Sequence, residues 1–428
     1  MKGMAIPKSR LIIMGAAAFV VLLGLLVFFG VIPGLRDNSG NRTITLSVWG
    51  VAPEETINRI TGTLGKNYQI TYRPFAPARY ETELLDALAS GRGPDVFMIH
   101  SSWLPKHFNK LIPVSEEQLS LKAFKALYPT VVAQDFAPDG FIYALPLSLD
   151  TLALLYNRDM FDSAGVATPP KNWKEFEEAV KKLRRLDASG RLVRAGAAIG
   201  GSGKSIIHEA DLLSALMLQG GTPMVAPDFS RATFAAQGGD ALTFYTKFAN
   251  PVSDVYTWND NSRDSLESLA NEFAAMAFGY AADLPGIREK NPSLPLEVAP
   301  LPQPVASETS VGYASYWGLA VSNRARAPAD AWGLILTLTA IPANARLYSE
   351  TAGLPPALRS LIAEKTKDPV LGVFTEQTLI ARSWPQADPA KVAEIFSNMV
   401  EDVLAGRAIP AVAIRGAEEA VTALMKKR

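Results

Sequence analysis

The chain contains no cysteine among its 428 residues, which excludes disulfides, thiolate metal sites and a cysteine nucleophile. Histidine is nearly as scarce: His100, His107 and His208 lie far apart without metal-ligand spacing, and none is read as catalytic. Net charge is also missing, because Lys+Arg and Asp+Glu balance at 42 each, so no bulk field favours nucleic acid or an acidic polymer. There is no Gly-x-Ser-x-Gly nucleophile turn and no carboxylate pair at a spacing that suggests glycoside hydrolysis. The enzyme reading has no residues to stand on, and neither a metal nor a cofactor is expected.

Apolar mass is plentiful: 48% of the residues are hydrophobic, enough for a large core and, at this length, for two globular lobes more readily than one. Leu11 to Ile32 carries no charge and is about 22 residues long, close to the roughly 20 that cross a bilayer. Lys2, Lys8 and Arg10 precede it, and it ends in Phe28-Phe29-Gly30-Val31-Ile32-Pro33 without a small-x-small cleavage site. This predicts one uncleaved transmembrane helix, with residues 1–10 cytoplasmic, 11–32 in the membrane and everything after Pro33 on the extracytoplasmic side of the cell membrane. Residues 33–42, which include the polar stretch GLRDNSGNR, read as a linker.

From Thr43 the pattern becomes α/β. Thr43 to Trp49 alternates and is β-rich, a helix is expected near Glu54 to Leu64, and a strand at Gln69 to Tyr72. The run Ala87 to Ile99, ALASGRGPDVFMI, then reads as helix end, turn and buried strand. Tyr80, Leu84, Leu85 and Leu88 recur at helical spacing, Gly91 and Gly93 supply left-handed stops, and Val96 to Ile99 is an apolar strand. The order argues a parallel doubly wound sheet, whose ligand crevice lies beyond the strands' carboxyl ends, here at His100, Ser101, Ser102 and Trp103. Asn172 and Glu175 form a capping box before a helix whose apolar face is Trp173, Phe176, Val180 and Leu183, with Trp173 read as core. Further helices are expected at Ala329 to Ala340, through Val392, Ile395, Met399 and Val403 to a stop at Gly406, and from Ala411 to Met425.

Ala198 to Ser205, AIGGSGKS, fits a relaxed Walker A pattern and precedes a helical segment, Ile207 to Leu218. A nucleotide site also needs a Mg²⁺-binding acid at the end of an apolar strand, and none of the later strands supplies one. The loop is therefore read as structural.

Several segments, in order, resemble the extracellular solute-binding proteins that serve ABC importers, the family that includes the maltose-binding proteins. They are LLDALASGRGPDVF; GFIYALPLSLDTLALLYN around Phe141 to Asn157; the segment after Pro170 with Trp173; AAMAFGY at Ala274 to Tyr280; TSVGYASYWGLAVS at Thr309 to Ser322; and Leu354-Pro355-Pro356. The chain departs from part of the family in lacking the lipobox cysteine, whose anchoring role the N-terminal run takes over. The resemblance implies the type II periplasmic binding protein fold, with lobe 1 formed by 43–150 and 316–354, lobe 2 by 151–315 and 355–428, and hinge crossovers between them.

It also implies a monomer that captures a small solute, expected to be a sugar or oligosaccharide, by closure of the lobes and delivers it to membrane permease subunits. A tethered ligand sensor or adhesion module on the same fold is the alternative. Indole and phenol rings stack on the C–H faces of sugars, and carboxylates accept their hydroxyls. The candidate ligand contacts are Trp49 and Trp103 at strand ends, Asp150 in the first crossover, Tyr280 with Asp283 beyond it, Tyr313 and Trp317 in the return crossover, and Trp384 before the closing helix. For the aromatics, packing at a lobe junction is the competing role.

Overall fold

The computed structural model describes residues 43–305 and 309–426. Its strands in chain order are β1 Ile44–Gly50, β2 Tyr68–Pro74, β3 Val96–His100, β4 Leu111–Ile112, β5 Leu145–Pro146, β6 Ala153–Asn157, β7 Arg185–Leu186, β8 Leu192–Arg194, β9 Met276–Gly279, β10 Leu296–Ala299, β11 Gly312–Tyr313, β12 Trp317–Ser322 and β13 Ala381–Arg382. One sheet runs β2-β1-β3-β12-β4, with β5 also on β12, and another runs β10-β6-β9.

In the first sheet β1 is parallel to both β2 and β3, as the strand and helix order predicts. The expectation of a wholly parallel sheet is corrected by β12, which enters antiparallel between β3 and β4. It arrives from the other lobe and not from a helical crossover, so the handed βαβ path that enforces parallel strands does not apply to it. The sheet β10-β6-β9 is antiparallel throughout.

Local chemistry sets the elements that frame the cleft. Val96 to Ile99 is buried on both faces, which is why the run is continuously apolar and does not alternate. The helix before it, Pro77–Ala89, begins with proline in its first turn and buries Tyr80, Leu84 and Leu88 on one stripe. Gly91 ends that segment with φ +71°, the left-handed stop expected. Gly93 is not left-handed; a β-carbon there would lie 2.5 Å from the Leu88 side chain, so its reason for being glycine is close packing. The helix Trp173–Leu183 has the expected Asn172 cap, the Glu175 N–H donating to Asn172 Oδ1 at 2.9 Å. The return arm of the expected box is displaced by one residue: Glu175 Oε2 accepts from the N–H of Lys171 at 2.8 Å.

The buried apolar residues separate into two main cores. The first runs from Leu46 to Leu149 and from Ala314 to Leu361, with Ala381. The second gathers Leu152 to Leu301 with Tyr313 and the stretch from Trp384 to Met425, and Trp173 is buried in it. A smaller cluster that includes Ala153, Leu155 and Ala277 covers the other face of the second sheet. Between the main cores three chain segments run side by side: the Leu149 N–H donates to the Pro355 carbonyl, that of Leu152 to Tyr313, and that of Ser315 to Asp150. The segments 1–10, 11–32 and 33–42, including the expected membrane anchor, lie outside the described residues. Among the described residues no helix is long and apolar enough to cross a membrane.

Candidate functional site

A cavity of about 320 Å³ opens between the two cores. Its first-core wall is built by the end of β3 and its turn, His100, Ser102 and Trp103, together with Trp317 at the start of β12. The opposite wall comes from Asp211 in the first turn of the helix Glu209–Gln219, from Tyr313, from Ser383 and Trp384, and from Pro389 and Ala390 in the first turn of the helix Pro389–Leu404. The register explains the tryptophan pair: β12 is antiparallel to β3 with Trp317 opposite His100, so one indole stands beside the strand end and the other on the turn just after it. The indoles of Trp103 and Trp317 meet edge to face at 5.1 Å. Tyr80 lies behind both, and its hydroxyl donates to the carbonyls of Met98 and Trp49.

The polar wall is organised by its neighbours. His100 bonds Ser102 Oγ through Nδ1 at 2.8 Å and Ser315 Oγ through Nε2 at 3.1 Å, and burial pushes its pKa down to about 4, so the ring is neutral. Burial raises the pKa of Asp211, while His208 and the Tyr280 hydroxyl, which donates to Oδ2 at 2.8 Å, pull it back. Asp283 in turn accepts from the Tyr280 N–H at 2.7 Å and bonds His208 Nε2 at 2.8 Å. Burial opposes charge on His208, but the carboxylates of Asp283, Asp211 and Asp150, Asp283 foremost, together outweigh it and lift the pKa.

Trp103, Tyr313, Trp317 and Trp384 therefore come together on the cavity wall, whereas Trp49, Asp150, Tyr280 and Asp283 do not line it. Trp49 packs on Phe75 at 4.9 Å and beneath the Arg73 guanidinium at 4.8 Å. Asp150 is buried, with Oδ1 accepting from the N–H groups of Thr151 and Ala281 and Oδ2 from Ala282, which ties the first crossover to the end of β9. Desolvation nevertheless raises its pKa to about 7. Tyr280 and Asp283 act one layer behind the wall, as the partners that hold Asp211 and His208. The charged wall residue that sequence reading missed is Asp211; Ser383, Gln386 and Pro389 on the same wall were missed with it. The signal for Asp211 was its place, an acid in the first turn of a helix that follows a glycine-rich loop.

An ion-pair cluster spans the cores beside the cavity. Lys106 Nζ lies 2.9 Å from Glu81 and 3.0 Å from Asp388, the N-cap of the helix Pro389–Leu404. The hydrogen bond from the buried His107, joined by Lys106, holds Glu81 down to about 2.

A second link between the cores is Asp135, which accepts from the hydroxyls of Tyr316 and Ser383 and whose pKa burial raises to about 7. Its folded state keeps a proton that the unfolded chain releases near 4. The stabilisation it brings is full below that value and is lost as pH rises toward 7. Asp135→Asn, which keeps the shape and removes the titration, should gain on the parent by several degrees in melting temperature between pH 5 and pH 8. A gap that stays constant across that range would rule out this assignment.

The loop with the Walker-like pattern is satisfied from within. Asp260 Oδ1 accepts from the Ser202 N–H at 2.9 Å and the Ser205 hydroxyl at 2.7 Å, and Trp258 Nε1 donates to the same Ser205 oxygen. A β-carbon on Gly201 would meet that carboxylate at 2.4 Å. A protein carboxylate thus occupies the place an entering phosphate would take, and Lys204 points to Glu401 at 2.6 Å. Lys204→Ala breaks an exposed pair worth about 0 to 1 kcal/mol. It is expected to leave solute affinity unchanged, and ATP should give no heat on titration into either protein; micromolar ATP binding lost in the variant would refute this.

Comparison with known proteins agrees with this architecture. A Brucella abortus protein described as a binding protein is 22% identical over 353 residues, covering 81% of this chain and 83% of that one. The sn-glycerol-3-phosphate-binding periplasmic protein UgpB of the same species is 37% identical over 84 residues, 18% of this chain and 19% of its own length. An ABC transporter solute-binding protein from Thermotoga lettingae, solved with α-D-tagatose, superposes with a TM-score of 0.69 at 25% identity, over 90% of this chain and 100% of that one. The family model for bacterial extracellular solute-binding proteins matches residues 61–372, and the chain belongs to that family.

Proposed function

We propose that the chain captures a carbohydrate between its lobes and passes it to the permease of an ABC importer, working as a monomer held at the membrane by Leu11 to Ile32. The observation that carries this reading is the composition of the cavity. Two edge-to-face indoles, Trp103 and Trp317, stand on one wall, with Trp384, Tyr313 and the Asp211 carboxylate on the other. Rings offer apolar faces to sugar C–H groups, and the carboxylate and serine hydroxyls pair with sugar hydroxyls. The tagatose found in the Thermotoga relative supports the same class of solute. At about 320 Å³ the cavity is near the lower end of small-molecule sites, roughly 300 to 1,000 Å³, which suits one or two sugar rings.

A ligand that touches both walls stabilises the conformation in which they face each other, and the Lys106–Asp388 contact adds to that state. The anchor keeps the protein close to its permease and so raises its effective concentration there. The test is a melting-temperature screen against mono- and disaccharides, polyols and amino acids. A true ligand at 100 times its Kd adds about 2.7 kcal/mol of stability, and a carbohydrate is expected to give the largest shift. Stabilisation by amino acids with none from any carbohydrate would overturn the proposal.

A further inference from the structure

We infer that the cleft selects an uncharged sugar over its phosphate ester, and that Asp211 is the residue that enforces the choice. This rests on the carbohydrate reading above and narrows it. Among the described residues no lysine or arginine lines the cavity, so nothing on the wall offers the fork or ammonium that phosphate sites use. His100, the basic side chain on the wall, is neutral and has both ring nitrogens engaged by serine hydroxyls.

Helix N-termini are the other common anion sites, and two of them reach this cleft. Each already carries its own acid. The helix Glu209–Gln219 has Asp211 in its first turn, and Asp388 caps the helix Pro389–Leu404 by accepting from the Lys391 N–H. The cations nearby are likewise matched, Lys106 by Glu81 and Asp388, and His208 by Asp283. A phosphate entering here would face the Asp211 carboxylate in a partly desolvated space where the neighbouring cation, His208, is already paired with Asp283. A hydroxyl in the same place would donate to that carboxylate, which the Tyr280 hydroxyl holds by its other contact at 2.8 Å. The contrast is with a relative named for binding sn-glycerol 3-phosphate, whose likeness covers only 18% of this chain.

The experiment is isothermal titration of the full chain in detergent with D-tagatose, D-glucose and maltose, with tagatose 6-phosphate and glucose 6-phosphate, and with sn-glycerol 3-phosphate. At least one neutral sugar should bind, and its phosphate ester should bind at least tenfold more weakly. Asp211→Asn should weaken the neutral sugar ten- to hundredfold while the unliganded melting temperature stays close to that of the parent. Tyr280→Phe, which removes only the positioning hydroxyl, should have a smaller effect of the same sign.

An ester that binds within tenfold of its parent, or sn-glycerol 3-phosphate that binds when sugars do not, overturns the inference while leaving solute capture intact. Unchanged sugar affinity in a folded Asp211→Asn protein overturns the role given to that residue. Should Asp211→Asn fail to fold, the sugar and ester comparison on the parent protein still decides the selectivity. If no sugar and no ester binds, the carbohydrate reading fails and the inference fails with it.

Discussion

Replacing Trp173 with alanine should lower the stability of the protein by about 3 to 5 kcal/mol, the range for truncating a large buried aromatic side chain, and leave solute affinity unchanged. The indole packs edge to face on Phe176 and Phe244 and against Phe278, inside the second core. Its Nε1 donates to Gln219 Oε1 at 2.7 Å, and Gln219 uses its amide to bind the carbonyls of Pro302 and Val311. Truncation therefore opens a cavity and strips a buried acceptor of its donor at once. Urea unfolding measures the loss, and titration below the new transition measures affinity. A drop under about 1 kcal/mol would show that the site collapses around the missing ring, contrary to the packing described.

The second large effect has the opposite signature. Trp103→Ala and Trp317→Ala remove ring surface that faces the cleft, and each should cost about 1 to 3 kcal/mol of ligand binding, roughly a tenfold to hundredfold rise in Kd. Both indoles are only partly buried in the unliganded protein, so melting temperature should fall far less than for Trp173→Ala. Trp384→Ala differs again. That ring is buried, stacks on Phe396 and donates to Ser214, so both affinity and stability should fall. If Trp103→Ala and Trp317→Ala lower the melting temperature as far as Trp173→Ala does and leave Kd intact, these residues are core and the cleft does not bind solute through them.

Much of the frame was legible because it rests on local rules. The β3 run, the helix of Tyr80, Leu84 and Leu88, and the Asn172 cap each follow from spacing that a few residues carry. The direction of β12 was not legible, since its pairing partners lie in another part of the chain and strand polarity leaves no mark on an apolar run. The candidate site divides along the same line. Sequence patterns indicate which segments end at the crevice, and Trp103, Tyr313, Trp317 and Trp384 are on such segments. They do not indicate how a side chain turns. Tyr280 spends its hydroxyl on Asp211, Asp150 spends its carboxylate on backbone donors, and Trp49 lies under Arg73. Asp211 escaped notice because an acid in a helix's first turn is also what the helix dipole favours anywhere.

The insertion of β12 between β3 and β4 also constrains how the chain is made. His100 and Ser315, which bond each other at the head of this strand pair, are 215 residues apart, so β3 leaves the ribosome long before the strand that covers it. Until then its inner edge presents unpaired backbone beside the apolar run Val96 to Ile99, the kind of edge that recruits other chains. The sheet β10-β6-β9, by contrast, is complete once Ala299 has been synthesised. The core packed on that sheet nevertheless waits for the stretch from Trp384 to Met425, as the first core waits for β12 and Ala381, so neither lobe closes its core until most of the chain has been made.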